Sequence, residues 1–231
     1  MNSEQGWLIA FEGIDGAGKS TQVDLLAAAL RRGGRTVVTT REPTDGPHGA
    51  RIRKLSSQGT AISLQDELDC FLEDRKEHVR ELIAPALARG DVVITDRYYL
   101  SNVAYQGARG LSPAAILDRN EGLFPHPTAA VLLEASASLG LGRVRARGES
   151  LNRAYEREDF LTQVAEIYAE IERPYLVRVP VVGTPEEVLT RSIISDVYGI
   201  EVSVEKGGAG GGVRIAPISG KARQHSAAKG G

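Results

Sequence analysis

The sequence GIDGAGKS, which begins at Gly13, fits the pattern G-x-x-x-x-G-K-[ST]. Its glycines, Gly16 and Gly18 among them, allow successive backbone N–H groups to approach one phosphate closely. Lys19 can neutralise charge on a transferred phosphoryl group, and Ser20 can hold Mg²⁺. The alternative is an ordinary glycine-rich turn between a strand and a helix. The apolar run before the motif and the helical pattern after it favour a phosphate loop.

A carboxylate at the end of an apolar run is the second candidate for chemistry. Residues 92–95 predict a buried strand, and Asp96 follows them directly. At the carboxyl edge of a parallel sheet, such a residue can reach a Mg²⁺ shell, directly or through water. The alternative is a helix N-cap before Arg97. With a phosphate loop earlier in the chain, the two patterns indicate binding of Mg²⁺ with ATP. They leave the phosphoryl acceptor open.

The elements that must position these residues alternate between short apolar runs and longer helical patterns, which indicates an α/β fold. Continuous apolar strands separated by helices predict a parallel sheet covered by helices on both faces. The predicted strands lie at 7–11, 36–40, 92–95, 129–133 and 176–182; the predicted helices lie at 19–32, 64–89 with a break near Pro85, 160–173 and 185–197.

The composition limits the classes of protein to consider. The chain has 231 residues, of which 42% are hydrophobic and 25% charged, and this suits one α/β domain or two small ones. A formal net charge of -2 predicts no general attraction to nucleic acid or membranes. The one cysteine, Cys70, excludes an internal disulfide, and we expect no signal peptide in residues 1–6. These features predict a cytoplasmic protein.

The C-terminal segment 207–231 differs from the rest of the chain. It is rich in glycine, alanine and serine and has no aromatic residue. Such a composition offers few apolar groups to bury, so we expect a disordered tail after a domain at 1–206. The alternative is a basic contact strip, since its charged side chains are all Lys or Arg.

Further motifs give the chain a family resemblance. The phosphate loop stands within FEGIDGAGKSTQ, which includes Thr21, and TREP, DRY and AYQG follow at Thr40, Asp96 and Ala104. Together, in this order and spacing from about Leu8 to Val197, they resemble the thymidylate kinase family. The resemblance implies ATP as the donor with Mg²⁺, dTMP as the acceptor, and a homodimer. It also implies a P-loop kinase fold, with a five-stranded parallel sheet in the order 2-3-1-4-5.

The resemblance also assigns roles on the acceptor side. It implies that Phe71 and Arg75 hold the thymine ring; four residues apart on a helix, they would share one face. The alternative is a core phenylalanine beside a surface arginine. Arg97 matches an arginine that grips the dTMP phosphate. Asp15 matches a residue that contacts the sugar 3′-OH or the metal region, and Arg41 ends the second strand beside the acceptor.

The segment after Arg97 is implied to line the base and the sugar, through Asn102, Tyr105 and Gln106. In the family, a tyrosine at the position of Tyr105 stands beside the deoxyribose 2′ carbon and leaves no room for a hydroxyl. This part of the resemblance predicts a preference for a deoxynucleotide.

Arginines cluster at about 143–157, which we interpret as a lid: Arg143, Arg145, Arg147, Arg153 and Arg157. The alternative is a solvated basic surface. Arginines on a mobile segment can neutralise charge during phosphoryl transfer. Family members without a basic residue in the phosphate loop usually supply one from the lid, and position 16 here is glycine. Arg147 and Arg153 are therefore the predicted catalytic arginines.

The predicted function is transfer of a phosphoryl group from ATP to dTMP, giving ADP and dTDP. Two other functions stay open from the residues alone. One is a kinase for another nucleoside monophosphate or a deoxynucleoside. The other is a P-loop regulatory protein that hydrolyses nucleotide slowly.

Overall fold

The computed structural model describes residues 6–58, 62–146 and 157–181, together with the backbone of 202–206 and 213–217. The helix predicted at 185–197 lies outside these ranges. None of the helices in the described part of the chain is long and apolar enough to cross a membrane.

The centre of the fold is a five-stranded parallel sheet with the strand order 2-3-1-4-5, counted along the chain, which confirms the predicted order. Its strands are apolar along most of their length because helices cover both faces. Phe11, Ile94 and Ala130 are fully buried within it. The strands are β1 Trp7–Glu12, β2 Val37–Arg41, β3 Val92–Asp96, β4 Ala129–Glu134 and β5 Leu176–Pro180.

The register brings the ends of the three strands that carry motifs to one edge of the sheet. Phe11 of β1 pairs with Asp96 of β3, and Arg41 of β2 pairs with Asp96 from the other side. Because the strands are parallel, the segments that follow them all leave the sheet at this edge. The fold therefore places the phosphate loop, Arg97 and Glu42 side by side.

Helices connect the strands, and one of them differs from its prediction. The helical pattern at 64–89 is present, but the expected break near Pro85 is a π-helical segment, Val79–Ile83, that directly precedes the helix Ala84–Ala88. The wider turn accommodates a proline, whose missing N–H and ring conflict with regular α-helical bonding. The helices are α1 Lys19–Arg32, α2 Pro47–Gln58, α3 Leu64–His78, α4 Ala84–Ala88, α5 Tyr99–Ala108, α6 Pro113–Leu123, α7 Ala137–Ala146 and α8 Glu158–Glu170.

Two further strands, β6 Val202–Lys206 and β7 Val213–Pro217, form an antiparallel pair. β7 lies inside the segment 207–231, for which the sequence predicts a disordered tail. Its sequence, VRIAP, contains two β-branched residues, Val213 and Ile215, which are common in strands. The rest of the predicted tail lies outside the described residues.

Candidate active site

The phosphate-loop motif occupies the turn between β1 and α1. Gly13, Gly16 and Gly18 have φ angles of 131°, 78° and 102°, a range that residues with a side chain rarely adopt. Gly18 directly precedes α1, so the motif ends at a helix N-terminus, where the helix dipole favours an anion. Thr21 stands in the first turn of that helix and is partly buried. The local backbone thus has the form that the sequence motif predicts.

Lys19 is folded back against this loop. Its Nζ donates hydrogen bonds to the carbonyl oxygens of Gly13, at 3.1 Å, and Ile14, at 2.9 Å. The side chain is buried, and this burial, together with the nearby charge of Arg97, lowers the pKa of the ammonium to about 8. The donors of Lys19 therefore lie beside the loop backbone, where they could turn to a bound phosphate.

Ser20 and Asp96 meet at the sheet edge, although they stand 76 positions apart in the chain. The Ser20 hydroxyl donates a hydrogen bond of 2.5 Å to Oδ2 of Asp96. A hydroxyl and a carboxylate are hard oxygen ligands, which suit Mg²⁺ when water and phosphate oxygens complete its shell. The described residues contain no group of three or more acidic, His or Cys side chains that could hold a metal by themselves. This pair therefore fits a magnesium ion that arrives with a nucleotide.

Arg97, Asp15 and Tyr105 form a second polar cluster beside the loop. Nη2 of Arg97 donates to Oδ1 of Asp15 at 2.7 Å and to the Tyr105 hydroxyl at 3.2 Å. The same hydroxyl donates to Oδ2 of Asp15 at 3.1 Å. Burial alone would raise the pKa of Asp15, but the charges of Arg97 and Lys19 outweigh it and lower the pKa to about 2. The cluster is therefore an ionised carboxylate beside a permanently charged guanidinium.

The backbone of Arg97 is also unusual, because its φ angle is 72° without the residue being glycine. Such a conformation costs about 1 to 3 kcal/mol and persists where the surroundings hold it in place. Its N–H donates to the carbonyl of Phe11 at 2.9 Å, and its carbonyl accepts from the Thr95 hydroxyl at 2.7 Å. The strands β1 and β3 thus fix where the Arg97 side chain begins.

The buried carboxylate of Glu12 holds the residues next to Arg97 in place. Its carboxylate accepts hydrogen bonds from the backbone N–H of Tyr98, the hydroxyl of Ser101 and the hydroxyl of Tyr168. Ser101 in turn accepts from Nη1 of Arg97 at 3.1 Å. Burial raises the pKa of Glu12 to about 7, against the hydrogen bond from Ser101 and the charge of Arg97. Glu12 therefore ties the phosphate loop to the segment that carries Arg97.

Arg75 is held in a buried network at the neighbouring strand end. Its Nε and Nη2 donate to Oε2 of Glu42 at 2.9 and 2.5 Å, and its Nη1 donates to Oδ1 of Asn120 at 2.6 Å. The other Glu42 oxygen lies 3.0 Å from Nδ1 of His78, whose Nε2 contacts the Thr40 hydroxyl. Buried partners therefore orient the Arg75 guanidinium, so Arg75 is not the surface arginine of the alternative interpretation.

Phe71 precedes Arg75 by one helical turn on α3 and is partly buried. On α5, Nδ2 of Asn102 donates to Oε1 of Gln106, and Nε2 of Gln106 donates to Oε1 of Glu67. Oδ1 of Asn102 is buried and has no hydrogen-bond partner among the described residues. An unpartnered buried acceptor is costly unless a ligand completes it. Asn102 thus offers an acceptor to a donor group.

Arg41 stands apart from these clusters. Its guanidinium pairs with Asp45 at 2.7 Å, and the two side chains are 63% and 75% exposed. The strand end is where the resemblance places it, but the side chain faces solvent. A residue at the end of an edge strand of the sheet can point away from the site, and sequence position alone does not decide this.

The lid region is described in part. Arg143 lies on α7, and its Nη1 is 3.3 Å from the carbonyl oxygen of Gly16 and 3.4 Å from that of Ala17. At the other end of the lid, Arg157 is exposed and pairs with Asp159. Arg147 and Arg153, the predicted catalytic arginines, lie outside the described residues. Among the described lid arginines, Arg143 is the one in contact with the phosphate loop.

Several buried residues of the site received no role from the sequence. Glu12 and Glu42 stand inside the motifs FEG and TREP, so the motifs themselves were the available signal. His78 and Asn120 are marked by nothing in their local sequence. Their contacts to Glu42 and Arg75 span 36 and 45 positions, and such pairs appear only when the chain is folded.

Comparison with known proteins agrees with this geometry. A family model described as thymidylate kinase matches residues 11–193. The thymidylate kinase of Xanthomonas campestris pv. campestris is 48% identical over 169 residues, 73% of each chain. That of Akkermansia muciniphila is 44% identical over 187 residues, 81% of this chain and 89% of the relative. A crystal structure of thymidylate kinase from Ehrlichia chaffeensis matches with a TM-score of 0.63 at 27% identity, covering 78% of this chain and 89% of that one. The chain belongs to the thymidylate kinase family.

Proposed function

We propose that the enzyme transfers the γ-phosphoryl group of ATP to dTMP, giving ADP and dTDP. The observation that carries the proposal is the convergence of two charged clusters at one sheet edge. Lys19 and the Ser20–Asp96 pair form one cluster, and Arg97, Asp15 and Tyr105 form the other; the two meet at the Gly13 carbonyl, which accepts from both Lys19 and Arg97. An arrangement with a donor side and an acceptor side suits transfer between two nucleotides.

On the donor side, the backbone of the phosphate loop and Lys19 would hold the ATP phosphates, with Thr21 at the start of α1. Ser20 and Asp96 would hold Mg²⁺, which neutralises phosphate charge when bound. Arg143 would add positive charge from the lid, and Arg147 and Arg153 remain candidates for the same task. Each of these groups stabilises charge that develops during transfer.

On the acceptor side, Arg97 would grip the dTMP phosphate with a planar fork of N–H donors. Asp15 would contact the sugar, and Tyr105 would stand against its 2′ carbon. Phe71 would stack on the thymine ring, while Arg75 donates to a ring carbonyl. The unpartnered oxygen of Asn102 would accept from the ring N–H, which thymine carries between its two carbonyls.

The reaction needs positioning and charge neutralisation more than covalent chemistry. The attacking phosphate oxygen is already anionic, so no side chain has to remove a proton from it. Arg97 and Lys19 keep the two reacting phosphates close in spite of their like charges. Transfer would then occur in one in-line step without a phosphorylated enzyme.

An acceptor panel tests the proposal. ADP release is measured with ATP, Mg²⁺ and each nucleoside monophosphate or deoxynucleoside in turn. Release that depends on dTMP, with dTDP as the second product, is the expected result. A better rate with another acceptor would support a different nucleotide kinase, and release without any acceptor would support a regulatory nucleotide hydrolase.

The proposal includes a homodimer that acts on free nucleotides in the cytoplasm. The family resemblance supports the dimer, and the single cysteine suits a reducing compartment. Sedimentation analysis across protein concentrations tests the dimer, because a species of one chain mass, 24.7 kDa, would contradict it.

A further inference from the structure

Helix α7 touches the phosphate loop through two glycines, Gly16 and Gly140. A Cβ atom added to Gly16 would overlap the carbonyl of Gly140, and one added to Gly140 would overlap the carbonyl oxygen of Asp15. The opposed atoms belong to backbone, so neither segment can yield by turning a side chain. The two segments therefore meet backbone to backbone, which requires glycine on both sides.

The contact has a consequence for Arg143. This residue follows Gly140 by three positions, so both lie on one face of α7. Its Nη1 reaches the carbonyl oxygens of Gly16 and Ala17, the peptide groups next to the glycine contact. Leu141 and Val144 of the same helix are buried, so the helix is held against the body of the protein. The close approach at Gly140 thus sets how near Arg143 stands to the loop.

Gly142 provides the comparison within the same helix. A Cβ added at Gly142 would meet nothing within 4 Å. Replacing glycine by alanine generally stabilises a helix, so nothing at this position requires glycine. Gly140 and Gly142 are both poor helix formers, but only at Gly140 do the surrounding atoms leave no room for a Cβ. The requirement at Gly140 therefore comes from the phosphate loop and not from the helix.

We propose that Gly140 is a positioning residue for ATP: the absence of its side chain lets α7 dock on the phosphate loop and sets Arg143 beside the donor phosphates. The inference rests on the proposed role of the loop as the ATP site. It also explains why position 16 cannot supply a basic side chain, since Gly140 occupies the space that such a side chain would need.

The test compares Gly140→Ala with Gly142→Ala in steady-state kinetics and thermal unfolding. Loss of a charge-assisted contact to a phosphate weakens binding by about tenfold or more, so we expect the KM for ATP in Gly140→Ala to rise by about this factor. The KM for dTMP should stay within about twofold. Gly142→Ala should keep both wild-type KM values and should not unfold at a lower temperature, because its added Cβ meets nothing within 4 Å. A purely structural role of Gly140 would lower the melting temperature without separating the two substrates, and that result would overturn the proposal.

Arg143→Ala and the double variant with Gly140→Ala complete the test. If Gly140 acts through Arg143, the double variant should be no worse than the more damaged single variant, since both changes remove one contact. Losses that multiply would overturn the proposal. If Gly140→Ala does not fold, Arg143→Ala decides alone: a KM for ATP equal to that of the wild type would overturn the inference. Wild-type turnover of dTMP is measured separately, so failure of the proposed function would be seen independently.

Discussion

Arg75 and Glu42 form a buried ion pair in which Nη2 of Arg75 lies 2.5 Å from Oε2 of Glu42, and the two side chains are 1% and 4% exposed. Burial alone would raise the pKa of Glu42, but the Arg75 guanidinium and the hydrogen bond with His78 outweigh it and lower the pKa. The pair orients an arginine that the family resemblance places against the thymine ring. It links the stability of the fold to the binding of the acceptor.

Glu42→Gln should lower both the stability of the fold and the affinity for dTMP. It removes the counter-charge of a buried guanidinium, and breaking such a pair costs about 3 to 5 kcal/mol. We expect the free energy of unfolding, measured in urea, to fall by about this amount, with a rise in the KM for dTMP that exceeds the rise for ATP. Asp45→Asn is the control, because its pair with Arg41 is exposed and screened by solvent. Equal losses in the two variants would contradict the prediction.

Glu12 predicts a pH dependence of stability. The pKa of its carboxyl is raised from 4.5 to about 7 in the folded chain, chiefly by burial. As the pH rises, the unfolded chain loses this proton at a lower pH than the folded chain does. The stabilisation from the protonated carboxyl is therefore complete below pH 4.5 and is lost as the pH rises through about 7. The shift corresponds to about 3 kcal/mol. Glu12→Gln cannot titrate, so the stability of the wild type relative to this variant should decline over that range. Parallel stability curves for the two proteins would disprove the assignment.

Arg97→Ala should damage binding of the acceptor much more than binding of ATP. The variant loses a charged, forked donor, and hydrogen bonds to charged groups are worth about 1.5 to 3 kcal/mol each, so dTMP should bind about a hundredfold more weakly. Arg97→Lys keeps the positive charge but lacks the forked pair of donors, so its affinity for dTMP should lie between those of the wild type and Arg97→Ala. Calorimetry with each nucleotide alone measures both affinities. Lost ATP binding with intact dTMP binding would reverse the assignment of the two sides.

Tyr105 should govern the choice between deoxyribose and ribose. An unwanted hydroxyl is rejected by about a hundredfold in a pocket that is merely apolar, so we expect dTMP to be preferred over its 2′-hydroxy analogue by about this factor. Tyr105→Phe keeps the ring and should keep the ratio. It should lower kcat/KM for both acceptors, because the hydroxyl contacts Asp15 and Arg97.

Tyr105→Ala opens the space beside the sugar and should reduce that preference. The measurement is the ratio of kcat/KM for the two acceptors in the wild type and both variants. A wild-type ratio in Tyr105→Ala would show that another residue excludes the hydroxyl.

Lys19→Met should abolish most of the activity and leave the fold intact. One donor aimed at transition-state charge is worth about a hundredfold to a thousandfold in kcat. Burial already lowers the pKa of this ammonium, so replacing it with an apolar side chain of similar length should not lower the melting temperature. Near-normal turnover in the folded variant would disprove the role given to the phosphate loop.

The sequence by itself determined the local parts of this protein. The glycine spacing in GIDGAGKS defines a loop with positive φ angles at Gly13, Gly16 and Gly18, which glycine adopts without steric cost because it has no Cβ. The apolar strands followed from their composition, and the motif order led through the family resemblance to the strand order β2-β3-β1-β4-β5. These features were readable because each is encoded within a few consecutive residues or in the order of such segments.

The tertiary structure alone decided which charged groups are paired. It placed Asn120 and His78 around Arg75 and Glu42, turned Arg41 to solvent, and replaced the break expected near Pro85 with a π-helical segment. It also showed that Gly140 belongs to the phosphate loop's surroundings. Such relationships join residues far apart in the chain, and their energies depend on burial, which is set only when the whole core has packed.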